Sequence, residues 1–144
     1  MPIYDISVPL SRDTPTYPGD PGIEITDWLT LAKGDVANVS LLHFGAHSAT
    51  HVDAPAHFID GAPRAERLPL EILIGEVEIV EVPGERRSLD REVVARIPAG
   101  TLRVLFKTRN SVFWDDPRSS AFRPDYTYIN PDGARALVEQ GVKL

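Results

Sequence analysis

Residues 47–58 read HSATHVDAPAHF, and this short stretch concentrates the residue types that hold metal ions in proteins. It contains three of the four histidines of the chain, His47, His51 and His57, together with the carboxylate of Asp53. Imidazole nitrogens and carboxylate oxygens form the ligand set that suits zinc and other divalent transition metals. Such grouping of ligand types favours a metal or catalytic site over ordinary packing.

The spacing inside this stretch predicts its local shape. His51 and Asp53 are two residues apart, so on an extended chain both side chains point to one face with Cα atoms ~6.6 Å apart. His47 lies four residues before His51, which corresponds to ~13 Å on a straight strand but only about 6 Å on a helical turn. We therefore expect a bend or single turn from His47 to Thr50, followed by an extended segment from His51 through Asp53.

The third histidine of the stretch has a different predicted role. His57 follows Pro55, four residues beyond Asp53, and its position fits a metal ligand less well than those of the other three residues. An imidazole that titrates near neutral pH is suited to moving a proton beside the ion, and the alternative is an orienting hydrogen bond to a carboxylate. The fourth histidine, His43, is assigned to the face of a strand.

Three protein ligands with open water positions are typical of a catalytic metal and not of a closed structural one. Such an ion lowers the pKa of bound water and polarises a carbonyl group, so hydrolysis of an amide, formamide or ester is the natural chemistry. A structural zinc protein is a weaker alternative, because no closed set of four ligands is visible in the sequence.

The composition limits the class of protein. A chain of 144 residues fits a single domain, and its net charge of −6 argues against nucleic-acid binding. The absence of cysteine excludes disulfides and thiolate ligands and fits the cytosol. No secretory signal and no apolar run long enough to span a membrane are visible, so we expect a cytoplasmic protein without membrane contact.

Apolar periodicity predicts a set of short strands. They are expected over residues 3–10, 23–28, 38–44, 71–82 and 104–108, the last of them buried. Ser88 predicts the start of a short helix over residues 89–97. Asn130, followed by a proline and an acid, predicts the start of another helix, which Gly141 ends.

The final residues, 142–144, resemble the beginning of a further strand. A strand, a capped helix and the first residues of another strand form an incomplete strand-helix-strand unit. We therefore expect the chain to be a fragment or a shortened product of a longer protein. The alternative is a frayed tail after a terminal helix.

Four segments resemble the cyclase family, which includes bacterial kynurenine formamidases and isatin hydrolases. HSATHVDAPAHF, at residues 47–58, is similar to the family signature HxGTHxDAPxHF, and TPTYPGDPG, at 14–22, is similar to the family's PxWPGDP loop. KTRN, at 107–110, and DYTYINPDGARALVEQGVKL, at 125–144, resemble the middle part of family members. The likeness covers nearly all of the chain.

The resemblance implies an α/β fold of the swivelling β/β/α type, with a mixed sheet and few helices, whose last strand or strands are missing. It also implies a single domain over residues 1–144, incomplete at its C-terminus, and a homodimer or homotetramer. The implied activity is metal-dependent hydrolysis of amide bonds in small aromatic compounds, as in the arylformamidase step of tryptophan catabolism.

The same resemblance implies roles for individual residues. His47, His51 and Asp53 match the family's metal ligands, with zinc or manganese as the ion, and His57 matches its proton-shuttling histidine. Tyr17 stands where many members have a tryptophan that lines the substrate pocket.

Two departures from the family pattern bear on activity. Ala49 replaces the glycine of the signature, a small change if this position does not need a positive φ. Family members are also longer, and their further part supplies another acidic or amide ligand and another histidine that residues 58–144 do not replace. The alternative function is therefore a catalytically silent member that acts as a binding or assembly module.

Overall fold

The structure, a computed structural model, describes residues 2–115 and 121–144. The contacts between Cα atoms divide these residues into two compact units. The first unit contains residues 2–53 and 121–122, and the second contains residues 54–115 and 123–144. The expectation of a single domain, incomplete at its C-terminus, stays a prediction.

The first unit is built on an antiparallel ribbon of two strands. Strand β1 (Glu24–Leu29) pairs with strand β2 (Val39–His43), and a short 3-10 helix, Leu31–Lys33, lies in the connection between them. Gly34 closes that helix with φ +90°, the left-handed conformation that glycine adopts without strain. Both strands were predicted from their sequence within one residue at each end.

The ribbon of the first unit leaves apolar side chains exposed on both of its faces. Leu41 pairs with Thr26 and Leu42 with Ile25, so successive leucines point to opposite sides of the ribbon. These leucines are 51% and 50% exposed. Few side chains of this unit are buried: Ile23, Thr14 and Ser48. A ribbon of two strands is marginally stable by itself, so packing against other groups must supply much of its stability.

The strand predicted over residues 3–10 is wrong, because side chains take the backbone donors that a sheet would need. The Asp5 carboxylate accepts hydrogen bonds from the Ser7 N–H (2.9 Å) and hydroxyl. The Val8 N–H donates to the Thr50 hydroxyl oxygen at 2.9 Å. Local bonds of this kind compete with a strand ladder, and the alternation of apolar residues alone could not reveal them.

The second unit contains two pairs of parallel strands and three helices. Strand β3 (Glu78–Glu81) pairs with β5 (Val104–Lys107), and β4 (Ser88–Leu89) pairs with β6 (Tyr128–Ile129). The helices are α1 (Leu70–Leu73), α2 (Arg91–Val94) and α3 (Pro131–Gln140), with 3-10 helices at Pro55–His57, Ala65–Arg67 and Arg109–Trp114. The predicted α/β class with few helices is confirmed, and parallel and antiparallel pairing occupy separate small sheets.

The core of the second unit lies between the parallel strands and the helices α2 and α3. One cluster of buried side chains contains Val80, Val94, Ile97 and Ala136, and a second contains Val82, Leu89 and Val93. The ring of Phe106 packs against both clusters and joins them. On the surface, the Arg91 guanidinium donates to Glu139 at 2.7 Å and so connects α2 to α3.

The strand predicted over residues 71–82 is only partly correct. Its second half forms β3, whereas its first half is the single helical turn α1. The Arg103 guanidinium explains the turn, because it donates to the carbonyl oxygen of Ile72 at 2.7 Å and to that of Glu71. Arg103 is distant in sequence, so the pattern of residues 71–82 carries no trace of this contact.

The helix predicted from Ser88 exists but begins later. Ser88 belongs to β4, and the side chain of Asp90 caps α2 by accepting a hydrogen bond from the Val93 N–H. Both residue types cap helices well, and the pairing of β4 with β6 decides between them. The buried strand predicted over residues 104–108 forms β5, although its side chains alternate between half-buried and exposed.

Helix α3 matches its predicted limits. Asn130 caps it, the amide oxygen accepting from the Gly133 N–H at 2.8 Å, and Gly141 ends it with φ +81°. The residues that follow are hydrogen-bonded and not frayed, since the Val104 N–H donates to the Leu144 carbonyl at 2.9 Å. In the part of the chain that the structure describes, no helix is long and apolar enough to cross a bilayer.

Candidate metal centre

The structure brings the three predicted ligands together. His47, His51 and Asp53 each offer one ligand atom, and these atoms lie within 4.8 Å of one another. All three belong to the segment that follows β2 in the first unit. The two imidazole rings meet edge to face, with their centroids 5.2 Å apart.

Hydrogen bonds orient the side chains of this cluster. The Nδ1 atom of His47 lies 2.7 Å from Oδ1 of Asp53, and Nδ1 of His51 lies 2.8 Å from the carbonyl oxygen of Ala49. The Nε2 atom of His51 approaches Oδ1 of Asp53 to 3.4 Å. A carboxylate has about four lone-pair sites on its two oxygens, so Asp53 can accept from an imidazole and still offer a lone pair to an ion.

The predicted bend between His47 and Thr50 is present. The Ser48 N–H donates to the Gly45 carbonyl at 3.1 Å, and the Ser48 side chain is buried. The hydroxyl of Thr50 accepts from the Val8 N–H, which ties the bend to the N-terminal segment. The small residues between the two histidines therefore form a turn that is anchored at both ends.

The replacement at Ala49 was expected from the sequence to be a small change only if this position did not need a positive φ, and that condition is not met. The φ of Ala49 is +57°, and it is the one described residue other than glycine with a positive φ. The position therefore needs the left-handed conformation, in which any Cβ is strained and glycine is not. The replacement of the signature's glycine by alanine is thus not a neutral change, because the turn must hold a strained residue.

The donor set fits a divalent ion with open coordination positions. The side chains of His47, His51 and Asp53 are 39%, 31% and 47% exposed, so water and a small molecule can reach the ligand atoms. Two nitrogens and a carboxylate oxygen suit zinc or manganese, and three protein ligands leave positions vacant for substrate. Among the residues that the structure describes, the cluster does not form the closed set of four ligands that a structural zinc site needs.

The other predicted site residues lie elsewhere on the chain. His57 ends the 3-10 helix Pro55–His57 in the second unit, where its ring lies 4.2 Å from that of Phe58. Tyr17 is 62% exposed in the first unit, and its ring meets Phe122 edge to face at 5.2 Å. His43 is at the end of β2, opposite Glu24, as expected for a strand residue outside the cluster.

The contacts of two residues were missed by the sequence analysis. The carbonyl of Ala49 contacts His51, and the side chain of Phe122 extends the aromatic surface of Tyr17. The glycine at the corresponding position of the family signature was a signal for the first. No local signal existed for the second, because Phe122 is more than a hundred residues from Tyr17.

Comparison with known proteins identifies the relatives of the chain. A kynurenine formamidase of Salinibacter ruber is 35% identical over 147 residues, which cover 100% of this chain and 67% of that protein. Cyclase-like protein 3 of Arabidopsis thaliana is 36% identical over 95% of this chain and 53% of its own length. The chain thus spans between about half and two thirds of the curated relatives it matches.

The chain is also similar to solved structures of proteins described as metal-dependent hydrolases. A protein described as a "potential metal-dependent hydrolase with cyclase activity" superposes with a TM-score of 0.74 and 26% identity, over 96% of this chain and 63% of that one. A protein from Bacillus stearothermophilus described as a "predicted metal-dependent hydrolase" superposes with a TM-score of 0.72 and 26% identity, over 96% of this chain and 64% of that one. The profile of the family named Cyclase, described as "Putative cyclase", matches residues 4–144. This chain therefore belongs to the cyclase family.

Proposed function

We propose that this chain carries the metal centre of an amide hydrolase that acts on small aromatic compounds, in the manner of an arylformamidase. The observation that carries the proposal is the convergence of His47, His51 and Asp53 within 4.8 Å. Relatives named kynurenine formamidase and solved structures described as metal-dependent hydrolases support it. The chain spans only part of those proteins, so the activity of a whole relative is not assumed for it.

The three side chains would hold the ion through two imidazole nitrogens and a carboxylate oxygen. A divalent ion supplies Lewis-acid activation of an amide carbonyl and of a water molecule. Zinc and manganese both accept this nitrogen and oxygen set. The role of the protein is to keep the three ligand atoms converged, since an ordered turn loses little entropy when it binds an ion.

We propose further roles for His57 and Tyr17. The exposed imidazole of His57 would take up and return the proton that moves as the amide bond breaks, the task for which an imidazole is suited near neutral pH. Tyr17 and its partner Phe122, whose rings meet edge to face, offer aromatic contacts that suit an aromatic substrate. We keep the proposed role of His57 separate from metal binding, because the spacing of the sequence assigns it to proton transfer and not to the ligand set.

Metal titration and turnover test this proposal. The purified chain should bind one equivalent of zinc or manganese and hydrolyse an aryl formamide. His51→Ala should abolish metal binding, whereas His57→Ala should keep the metal and lose turnover. His43→Ala is the matched control, because it removes an exposed imidazole outside the cluster and should change neither.

The outcomes separate the competing functions. No bound metal and no turnover would refute the enzyme proposal for this chain. Bound metal without turnover would favour the alternative, a catalytically silent module for binding or assembly. Equal loss of metal in His51→Ala and His57→Ala would show that His57 is a ligand and not a proton carrier.

We also propose that the protein works in the cytoplasm as a homodimer or homotetramer. The support for self-association is the exposed apolar surface of the β1–β2 ribbon, where Leu41 and Leu42 are half exposed on opposite faces. Large exposed apolar patches mark interaction surfaces in soluble proteins. Light scattering on the purified chain gives the oligomeric state, and a monomer at all concentrations would exclude this part of the proposal.

A further inference from the structure

We propose that Ala49 is a positioning residue of the metal centre, whose carbonyl oxygen selects the tautomer of His51 that presents Nε2 to the ion. This inference rests on the proposed function, because it concerns the same cluster. It assigns a role to a backbone group that the ligand set does not include.

The hydrogen bond between the two residues defines the tautomer. The Nδ1 atom of His51 lies 2.8 Å from the carbonyl oxygen of Ala49. A carbonyl oxygen can only accept, so Nδ1 must carry the hydrogen. In the neutral ring the lone pair is then on Nε2, the atom that lies 3.4 Å from the Asp53 carboxylate.

The left-handed conformation of Ala49 is what places this carbonyl. Rotation about the N–Cα bond of Ala49 turns its carbonyl, and the chain that follows, relative to His47. At the observed φ of +57° the rings of His47 and His51 are 5.2 Å apart and the carbonyl reaches Nδ1. A residue confined to negative φ would turn its carbonyl away from Nδ1 of His51 and the His51 ring away from that of His47. The same strained residue therefore gathers the ligands and orients one of them.

The strain itself supports a functional interpretation. Alanine in the left-handed region is disfavoured by roughly 1–2 kcal/mol. Such a strained conformation persists only where the surrounding structure imposes it. Here the Ser48 N–H bond to Gly45 precedes the residue, and the Thr50 hydroxyl bond to Val8 follows it. The turn is thus held from both sides in the one conformation that orients His51.

Nitrogen NMR of the metal-free protein tests the tautomer directly. Long-range proton–nitrogen correlations on 15N-labelled protein in alkaline buffer should show His51 protonated at Nδ1 and unprotonated at Nε2. A ring protonated at Nε2 would overturn the proposal. This measurement needs no metal, so it decides the inference by itself. If the wild-type chain bound neither zinc nor manganese and showed no turnover, that result would refute the proposed function and leave the tautomer result standing.

Zinc affinity, measured by competition with a chelator, tests the consequence. Ala49→Val places a β-branched side chain where φ is positive and should weaken zinc binding about 10–100-fold, the usual cost of losing an orienting partner. Gly34→Val is the matched control, since it puts the same side chain at another left-handed position of the first unit, with φ +90° and open space around it. It should bind zinc like the wild type.

Ala49→Gly keeps the carbonyl and removes the strain. This variant should retain wild-type zinc affinity and raise the melting temperature. It tests the proposal in place of Ala49→Val if that variant fails to fold. Loss of zinc affinity in Ala49→Gly, or wild-type affinity in a folded Ala49→Val, would overturn the proposal. Equal weakening in Gly34→Val and Ala49→Val would do so as well, because it would assign the effect to general destabilisation.

Discussion

Replacement of Gly133 by alanine should destabilise the protein, although alanine is the better helix former. Gly133 lies in the first turn of α3, buried against strand β4. A Cβ atom at this position would lie 2.3 Å from the carbonyl oxygen of Leu89 and 3.1 Å from its carbonyl carbon. The obstacle is backbone, so no side-chain rotation can relieve it.

The geometry gives the size of the effect. The closest approach is roughly 1 Å shorter than ordinary van der Waals contact, so α3 must move away from β4. The same Leu89 carbonyl accepts the Asn130 N–H at 3.1 Å, and this movement strains that bond. Overpacking costs about 1–3 kcal/mol and a lost hydrogen bond about 1 kcal/mol, against a gain of about 1 kcal/mol in helix propensity. We expect a net destabilisation of about 1–3 kcal/mol.

Urea unfolding followed by circular dichroism measures this change. Ala134→Gly is the control, because Ala134 is the exposed neighbour in the same helix and the substitution costs about 1 kcal/mol through propensity alone. Both variants should unfold at lower urea concentration than the wild type. A Gly133→Ala variant that is more stable than the wild type would refute the packing argument, since propensity would then dominate.

Two further predictions concern the helices of the second unit. Asn130→Ala removes the cap of α3 and should lower the free energy of unfolding by about 1–2 kcal/mol. Asn130→Asp keeps a capping oxygen and should lower it by less, so equal losses in the two variants would contradict the capping role. The Arg91 guanidinium, through its hydrogen bond and its charge, holds the pKa of Glu139 below the ordinary 4.5. The pair therefore stabilises the fold at pH values above 4.5, and this stabilisation is lost as the pH falls through the lowered pKa. Wild type should therefore exceed Glu139→Gln in stability at neutral pH and match it in strong acid, and a difference that persists in acid would contradict the assignment.

Some elements could be predicted from the sequence because their signals are local. Helix α3 has its capping asparagine, its first-turn proline and its terminal glycine in the sequence itself, and strands β1 and β2 show their apolar alternation. The bend before Thr50 followed from the spacing of His47 and His51 and from the small residues between them. Each of these interactions joins residues that are near in the sequence.

Other elements depended on partners that are distant in the sequence. Residues 3–10 fail to form a strand partly because the hydroxyl of Thr50 takes the Val8 N–H, and α1 forms where the guanidinium of Arg103 binds its carbonyls. Periodicity describes which face of an element is apolar, but it does not describe which side chain will arrive from elsewhere to compete for the backbone.

The sequence by itself determined the family and the ligand types of the candidate metal centre, because the identity of a donor atom is written in the residue. Only the tertiary structure decided how those donors are arranged. The positive φ of Ala49 and the bond from its carbonyl to His51 depend on an anchored turn, not on residue type. The physical reason is that a strained backbone conformation is stable only where several contacts impose it together, and those contacts exist only in the folded chain.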